Sequence, residues 1–147
     1  MPTTATESAT TTTGQAPRAE QPTTEPVTGY QQTYRGRADQ VRQVRRDVAR
    51  HLGDNPITAD AVLVASEIAT NAILHSRSRE ESFTIRVEPH RDHCRVECQD
   101  AGGVWRRRRQ DDRPHGLAIV EALTGPEGWG VETTSDGDRI VWARLTW

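Results

Sequence analysis

Residues 66–76 read Ser66-Glu67-Ile68-Ala69-Thr70-Asn71-Ala72-Ile73-Leu74-His75-Ser76, "SEIATNAILHS". The apolar residues recur at helical spacing, and together they predict a helix that is mostly buried. Glu67, Asn71 and His75 nevertheless run through it at four-residue spacing. Residues four apart share a helix face, so these three form a polar stripe on an apolar element. Either the stripe faces water, or something polar docks against it. The helix is expected from about Ala59 to Leu74, with Thr58 as N-cap and Asp60 favourable in the first turn. Val62, Leu63, Val64, Ala65, Ile68, Ala69, Ala72, Ile73 and Leu74 cover most of its circumference. A helix apolar nearly all round belongs in the interior.

The flanking sequence supplies the layers that would bury it. Upstream, "RADQVRQVRRDVARHLG" places Val41, Val44, Val48 and Leu52 at helical spacing, arginines opposite and Gly53 as the stop. Downstream, "SFTIRVE" and "CRVECQD" alternate apolar and polar residues and are joined by "PHRDH", which reads as a β-hairpin. "AGGVWRRRRQDDRP" reads as a loop, and "HGLAIVEAL" as a short helix beginning near Gly116. "GWGVETT", the turn "SDGD" and "RIVWARLTW" make a closing hairpin, with Ile140, Trp142 and Arg144 facing away from Val141, Ala143 and Leu145. The expected order is α-α-β-β-loop-α-β-β. This is an α+β, two-layer α/β sandwich with a mixed, mainly antiparallel sheet and helices on one face.

The first 29 residues hold ten threonines and four of the chain's eight prolines, with Val27 the only large aliphatic residue after Met1. Such a segment cannot bury enough apolar surface to offset its ordering entropy. Residues 1–33 are expected to be a disordered Thr/Pro-rich tail, and residues 34–147 one compact domain. The tail lacks the basic start and apolar run of a signal peptide. No stretch approaches the roughly 20 apolar residues of a membrane span. A cytoplasmic protein without membrane contact is expected.

Arg18 against Glu7, Glu20 and Glu25 leaves the domain formally neutral, which argues against direct nucleic-acid binding over its whole surface. All 19 basic residues are arginine. The absence of lysine excludes a Walker-A phosphate loop, the strand lysine of eukaryotic-type protein kinases and any Schiff-base enzyme. Cys94 and Cys98 lie four apart on a predicted strand. That spacing holds their Cα atoms about 13 Å apart, beyond disulfide reach, so both read as core-facing free thiols.

Three constellations could carry chemistry. Glu67 and Asn71 suit a metal–nucleotide site: an Asn carbonyl is a hard neutral ligand for magnesium, and a carboxylate one turn away can accept a proton. The same stripe could equally be a solvated face. Asp100-Ala101-Gly102-Gly103 follows a strand, where Asp100 could accept from an exocyclic amine and the glycines permit close approach of a flat ligand. Asp-x-Gly is also an ordinary turn. Gly116 stands at a helix start, where free N–H groups favour phosphate. Arg106–Arg109, between the last two, reads as a solvated charge run or as a phosphate or partner contact.

In this order and spacing the motifs resemble the ATP-binding domain shared by histidine kinases, the Hsp90 chaperone, gyrase and MutL. The chain looks most like the anti-sigma-factor serine/threonine kinase branch common in actinobacteria. "LVASEIATNAILHS" is similar to the N box, "VECQDAGG" to the first glycine box, "HGLAIVEAL" to the second, and "GDRIVWARL" to the closing strand. The resemblance covers residues 34–147 and implies a Bergerat-type ATP-binding fold. It further implies ATP and Mg2+ as cofactors, with Asn71 on the metal that bridges the phosphates. Asp100 would hold the adenine amino group, with Gly102 and Gly103 beside the ring. His115, Gly116 and Leu117 would sit under the phosphates, residues 103–115 would form the lid, and Glu67 would be the general base. His75 would be structural. The implied partners are a sigma factor and an anti-anti-sigma (STAS-type) protein phosphorylated on Ser or Thr, with homodimer formation open. Three positions depart from the pattern: Val104 and Pro114 replace box glycines, and Ile140 replaces a threonine. They keep a second expectation open, a non-catalytic partner-binding switch.

Overall fold

The computed structural model describes residues 29–75, 81–102 and 116–147. The elements run β1 (Tyr30–Arg35), α1 (Gln40–Leu52), α2 (Thr58–His75), β2 (Ser82–Pro89), β3 (His93–Asp100), α3 (Gly116–Thr124), β4 (Trp129–Thr133) and β5 (Arg139–Thr146). The five strands form one sheet in the order β1-β2-β3-β5-β4, and every pairing is antiparallel.

β1 is the element missing from the sequence-based order, and it moves the expected tail boundary. Tyr30–Thr33, assigned above to the tail, belong to a strand paired along its length with β2. β1 lies at the sheet edge, with Gln31, Gln32 and Thr33 exposed, so it carries little apolar signal. Side chains hold it instead. The Tyr34 hydroxyl donates to Asp47 Oδ2 on α1 at 2.7 Å and also bonds the Tyr30 hydroxyl, and the Tyr34 ring stacks on Phe83. The rest of the expected tail, residues 1–28, lies outside the described residues.

α1 buries Val44 and Val48, one turn apart, and ends at Gly53, whose N–H bonds the Ala49 carbonyl at 2.9 Å. Burying each valine contributes about 1.5–3 kcal/mol. Thr58 does not cap α2 as expected: its hydroxyl donates back to the Gly53 carbonyl at 2.9 Å, while the Asn55 side chain accepts from Ile57 N at 3.0 Å. α2 is the central helix and buries Ala61, Val64, Ala65, Ile68, Ala69, Ala72 and Ile73. It packs against α1, α3 and β3.

The sheet face beneath it carries Phe83, Ile85, Val87, Cys94, Val96, Cys98, Val141, Ala143 and Leu145, all buried. Both thiols are free, and burial pushes the Cys94 thiol up to about 11. The opposite face is polar: Arg86 and Arg95 both bridge to Glu97, and Arg95 lies over the Trp142 ring. Among the described residues no helix is long and apolar enough to cross a membrane.

Candidate functional site

The strand register fixes where Asp100 sits on the sheet. β3 ends at Asp100 directly opposite Arg139, the first residue of β5. β2 begins at the same end, since Thr84 pairs with Gln99. α3 turns through Gly125 and Gly128 into β4, whose first residue pairs with Ala143 towards the far end. Gly116 is at the other end of α3.

On α2 the predicted polar stripe divides. Leu63, Glu67, Thr70 and Leu74 mark the less buried side; Leu74 is 68% exposed, and Glu67 is half-buried. Asn71 instead belongs to the buried side, at 8% exposure. The neighbouring hydroxyls turn inward on the helix itself: Ser66 Oγ donates to the Leu63 carbonyl and Thr70 Oγ1 to the Ser66 carbonyl. Asn71 makes no such return bond from its amide nitrogen, which is buried without a partner. Leaving a polar group in that state costs about 1–3 kcal/mol. The His75 side chain lies outside the described residues.

The β3 end is different in kind. Asp100 and Arg139 are both buried, at 3% and 5% exposure. Asp100 Oδ2 accepts from Arg139 Nε at 3.2 Å and from Nη2 at 2.9 Å, a forked, charge-assisted contact. Asp100 Oδ1 accepts from the backbone N–H of Gly102 at 2.8 Å. Gly102 has φ +72°, and a Cβ there would stand 2.5 Å from the Gly137 carbonyl oxygen. The glycine expected to admit a flat ligand is thus already required by the β4–β5 turn packed against it. Burial and the Asp100 carboxylate push the nearby Cys98 thiol up, Arg139 opposing them.

Gly116 is the first residue of α3, and Leu117 and Val120 anchor that helix in the core. Gly103, His115, Arg106–Arg109 and the expected lid, residues 103–115, lie outside the described residues.

Arg139 is the residue that sequence reasoning missed. A signal was present: it shares the parity of Val141, Ala143 and Leu145, the buried face of β5. A charge on a core-facing position is a residue to be explained.

The donor set is compatible with a magnesium ion bound chiefly by phosphate and water. Asn71 would offer the ion its carbonyl Oδ1, while its buried Nδ2, a donor without a partner, would suit an oxygen of the bound nucleotide. The described residues hold no group of three or more His, Cys, Asp or Glu placed to hold a metal, so other ligands would come from nucleotide and solvent.

A five-stranded antiparallel sheet under three helices, with Asn on the central helix and Asp at the end of β3, is the class of fold built by GHKL-type ATPase domains. The family described as "Histidine kinase-like ATPase domain" matches residues 34–133, and the chain belongs to that family. The match ends before β5 and so does not include Arg139. The crystal structure of the RsbU and RsbW domains of Rv1364c from Mycobacterium tuberculosis is similar in fold, with a TM-score of 0.61 at 20% identity. The likeness covers 82% of this chain and 33% of that one, so the chain spans about a third of its length. No curated protein matches the chain.

Proposed function

We propose that the protein binds magnesium-ATP and acts as a regulator of the anti-sigma serine/threonine kinase type. It would sequester a sigma factor or similar partner and phosphorylate an anti-anti-sigma protein of the STAS type on Ser or Thr. The observation that carries this reading is Asn71, buried with its donor Nδ2 unpartnered, a group that a nucleotide oxygen would satisfy, one helical turn from the half-buried carboxylate of Glu67. Membership of the ATPase family supports it, as does the likeness in fold to a structure of RsbU and RsbW domains.

The residues divide the work. Asn71 would hold the magnesium, whose charge offsets that of the phosphates when it is bound. Asp100 would accept from the adenine amine, and Gly116 and Leu117 would present the start of α3 to the phosphates. Glu67, on the open side of α2, would take the proton of the acceptor hydroxyl. The hydroxyl oxygen then bonds to the γ-phosphorus, the bond from that phosphorus to the β–γ bridging oxygen breaks, and ADP leaves with the electron pair. No covalent enzyme intermediate is needed, so rate would come from positioning and charge neutralisation.

The second reading is a partner-binding switch that transfers nothing. Pro114 and Val104 in place of box glycines favour it. Labelled ATP, magnesium and candidate antagonist proteins separate the two. Wild type should transfer label to Ser or Thr, and Glu67→Ala should bind ATP while losing transfer by about 100-fold or more. Wild type that binds ATP yet labels no antagonist would favour the switch.

A further inference from the structure

Asp100 is largely spoken for before any ligand arrives. An ionised carboxylate offers about four lone-pair sites over its two oxygens. Arg139 takes two of them on Oδ2, and the Gly102 N–H takes one on Oδ1. By lone-pair count one acceptor site remains, on Oδ1 of a side chain that is fully buried. The two groups are buried at a fixed strand register, Asp100 opposite Arg139, and Gly102 is locked against the Gly137 carbonyl. The remaining site is therefore built into the fold and is not adjustable by a rotating side chain.

We propose that Arg139 is a specificity-determining residue, which selects adenine over guanine by rationing the acceptor capacity of Asp100. This rests on the nucleotide-binding reading above. The adenine edge presents one amine that needs a single acceptor. Guanine presents two adjacent N–H groups, on N1 and N2, which a carboxylate meets by using both oxygens in parallel. With Oδ2 filled by the guanidinium, the second guanine N–H is left buried and unsatisfied. A site that leaves a buried polar group unpaired rejects that ligand strongly. Without Arg139 both oxygens would be open, and guanine would gain more than adenine. Arg139 acts on the base through Asp100, so its removal alters the ratio of the two affinities and not merely their size.

Calorimetric titration of the full chain with ADP and with GDP, each with magnesium, tests this. Wild type should prefer ADP by about 30-fold or more, within the range set by one unpaired buried hydrogen bond. Arg139→Met should narrow that ratio by about tenfold or more, chiefly through tighter GDP binding. Since Arg139→Met leaves Asp100 buried without its partner, Arg139→Lys is measured beside it. A lysine keeps the charge and gives up the fork, so the ratio should fall part of the way, and thermal melts identify which variants are folded. An unchanged ratio in the folded variants overturns the proposal. So does wild type without preference between the two. Wild type that binds neither nucleotide overturns the nucleotide reading itself, an outcome distinct from either.

Discussion

The two halves of the candidate site are finished to different degrees. At the end of β3, Asp100, Arg139, Gly102 and Gly137 close on one another, and the carboxylate has partners on both oxygens. On α2, Asn71 is buried with an idle amide nitrogen and Glu67 stands half-open. The first half contributes to stability as it stands. The second leaves the Asn71 amide nitrogen without a partner among the described residues, which costs stability. Polar groups that fold-energetics alone would remove are the ones to suspect of function. By that criterion the proposed function rests chiefly on the α2 half, with the β3 half as the scaffold beside it.

The contrast can be broken by substitution. The largest effect is expected at Asp100→Ala, which strands the Arg139 charge in the interior. Urea melts should show a loss of about 3–5 kcal/mol. A loss below about 1 kcal/mol would mean that the pair is screened like a surface ion pair. Gly102→Ala comes next, because the new Cβ meets the Gly137 oxygen and the backbone holds φ +72°. Its expected cost is about 1–3 kcal/mol, read by the same melts. Asn71→Ala should be the mildest, within about 1 kcal/mol of wild type, because it removes a group that pays a burial penalty and returns no bond from its nitrogen. A large loss there would place Asn71 among the structural residues and erase the contrast.

Much of this was legible in the sequence, for definite reasons. α2, the β2–β3 hairpin and the β4–β5 hairpin announce themselves because their apolar residues follow one period without interruption. β1 does not, because "YQQTYR" is an edge strand that buries only Tyr34 fully. Its stability lies in the pairing with β2 and in the Tyr34–Asp47 bond, both long-range in sequence. Thr58 illustrates a nearer failure: Asn55, three residues earlier, offered the competing side chain. In the site, Glu67 and Asn71 were found together by spacing, but spacing could not say that the helix turns one towards solvent and the other inward. Forty degrees of rotation separates such outcomes, and only packing against β3 and α3 resolves them. Asp100 was visible as an acceptor at a strand end. That Arg139 already holds it depends on register between strands that are 39 positions apart in sequence.

The central claim of the proposed function is that Asn71, buried with an unpartnered Nδ2, serves a magnesium-bound nucleotide. Calorimetric titration with ATP, with and without magnesium, tests it most directly on wild type and Asn71→Ala, after melts have confirmed that both are folded. Magnesium should tighten ATP binding to wild type, and that gain should vanish in Asn71→Ala while the melting temperature barely moves. Equal magnesium-dependent binding by the two proteins would contradict the account.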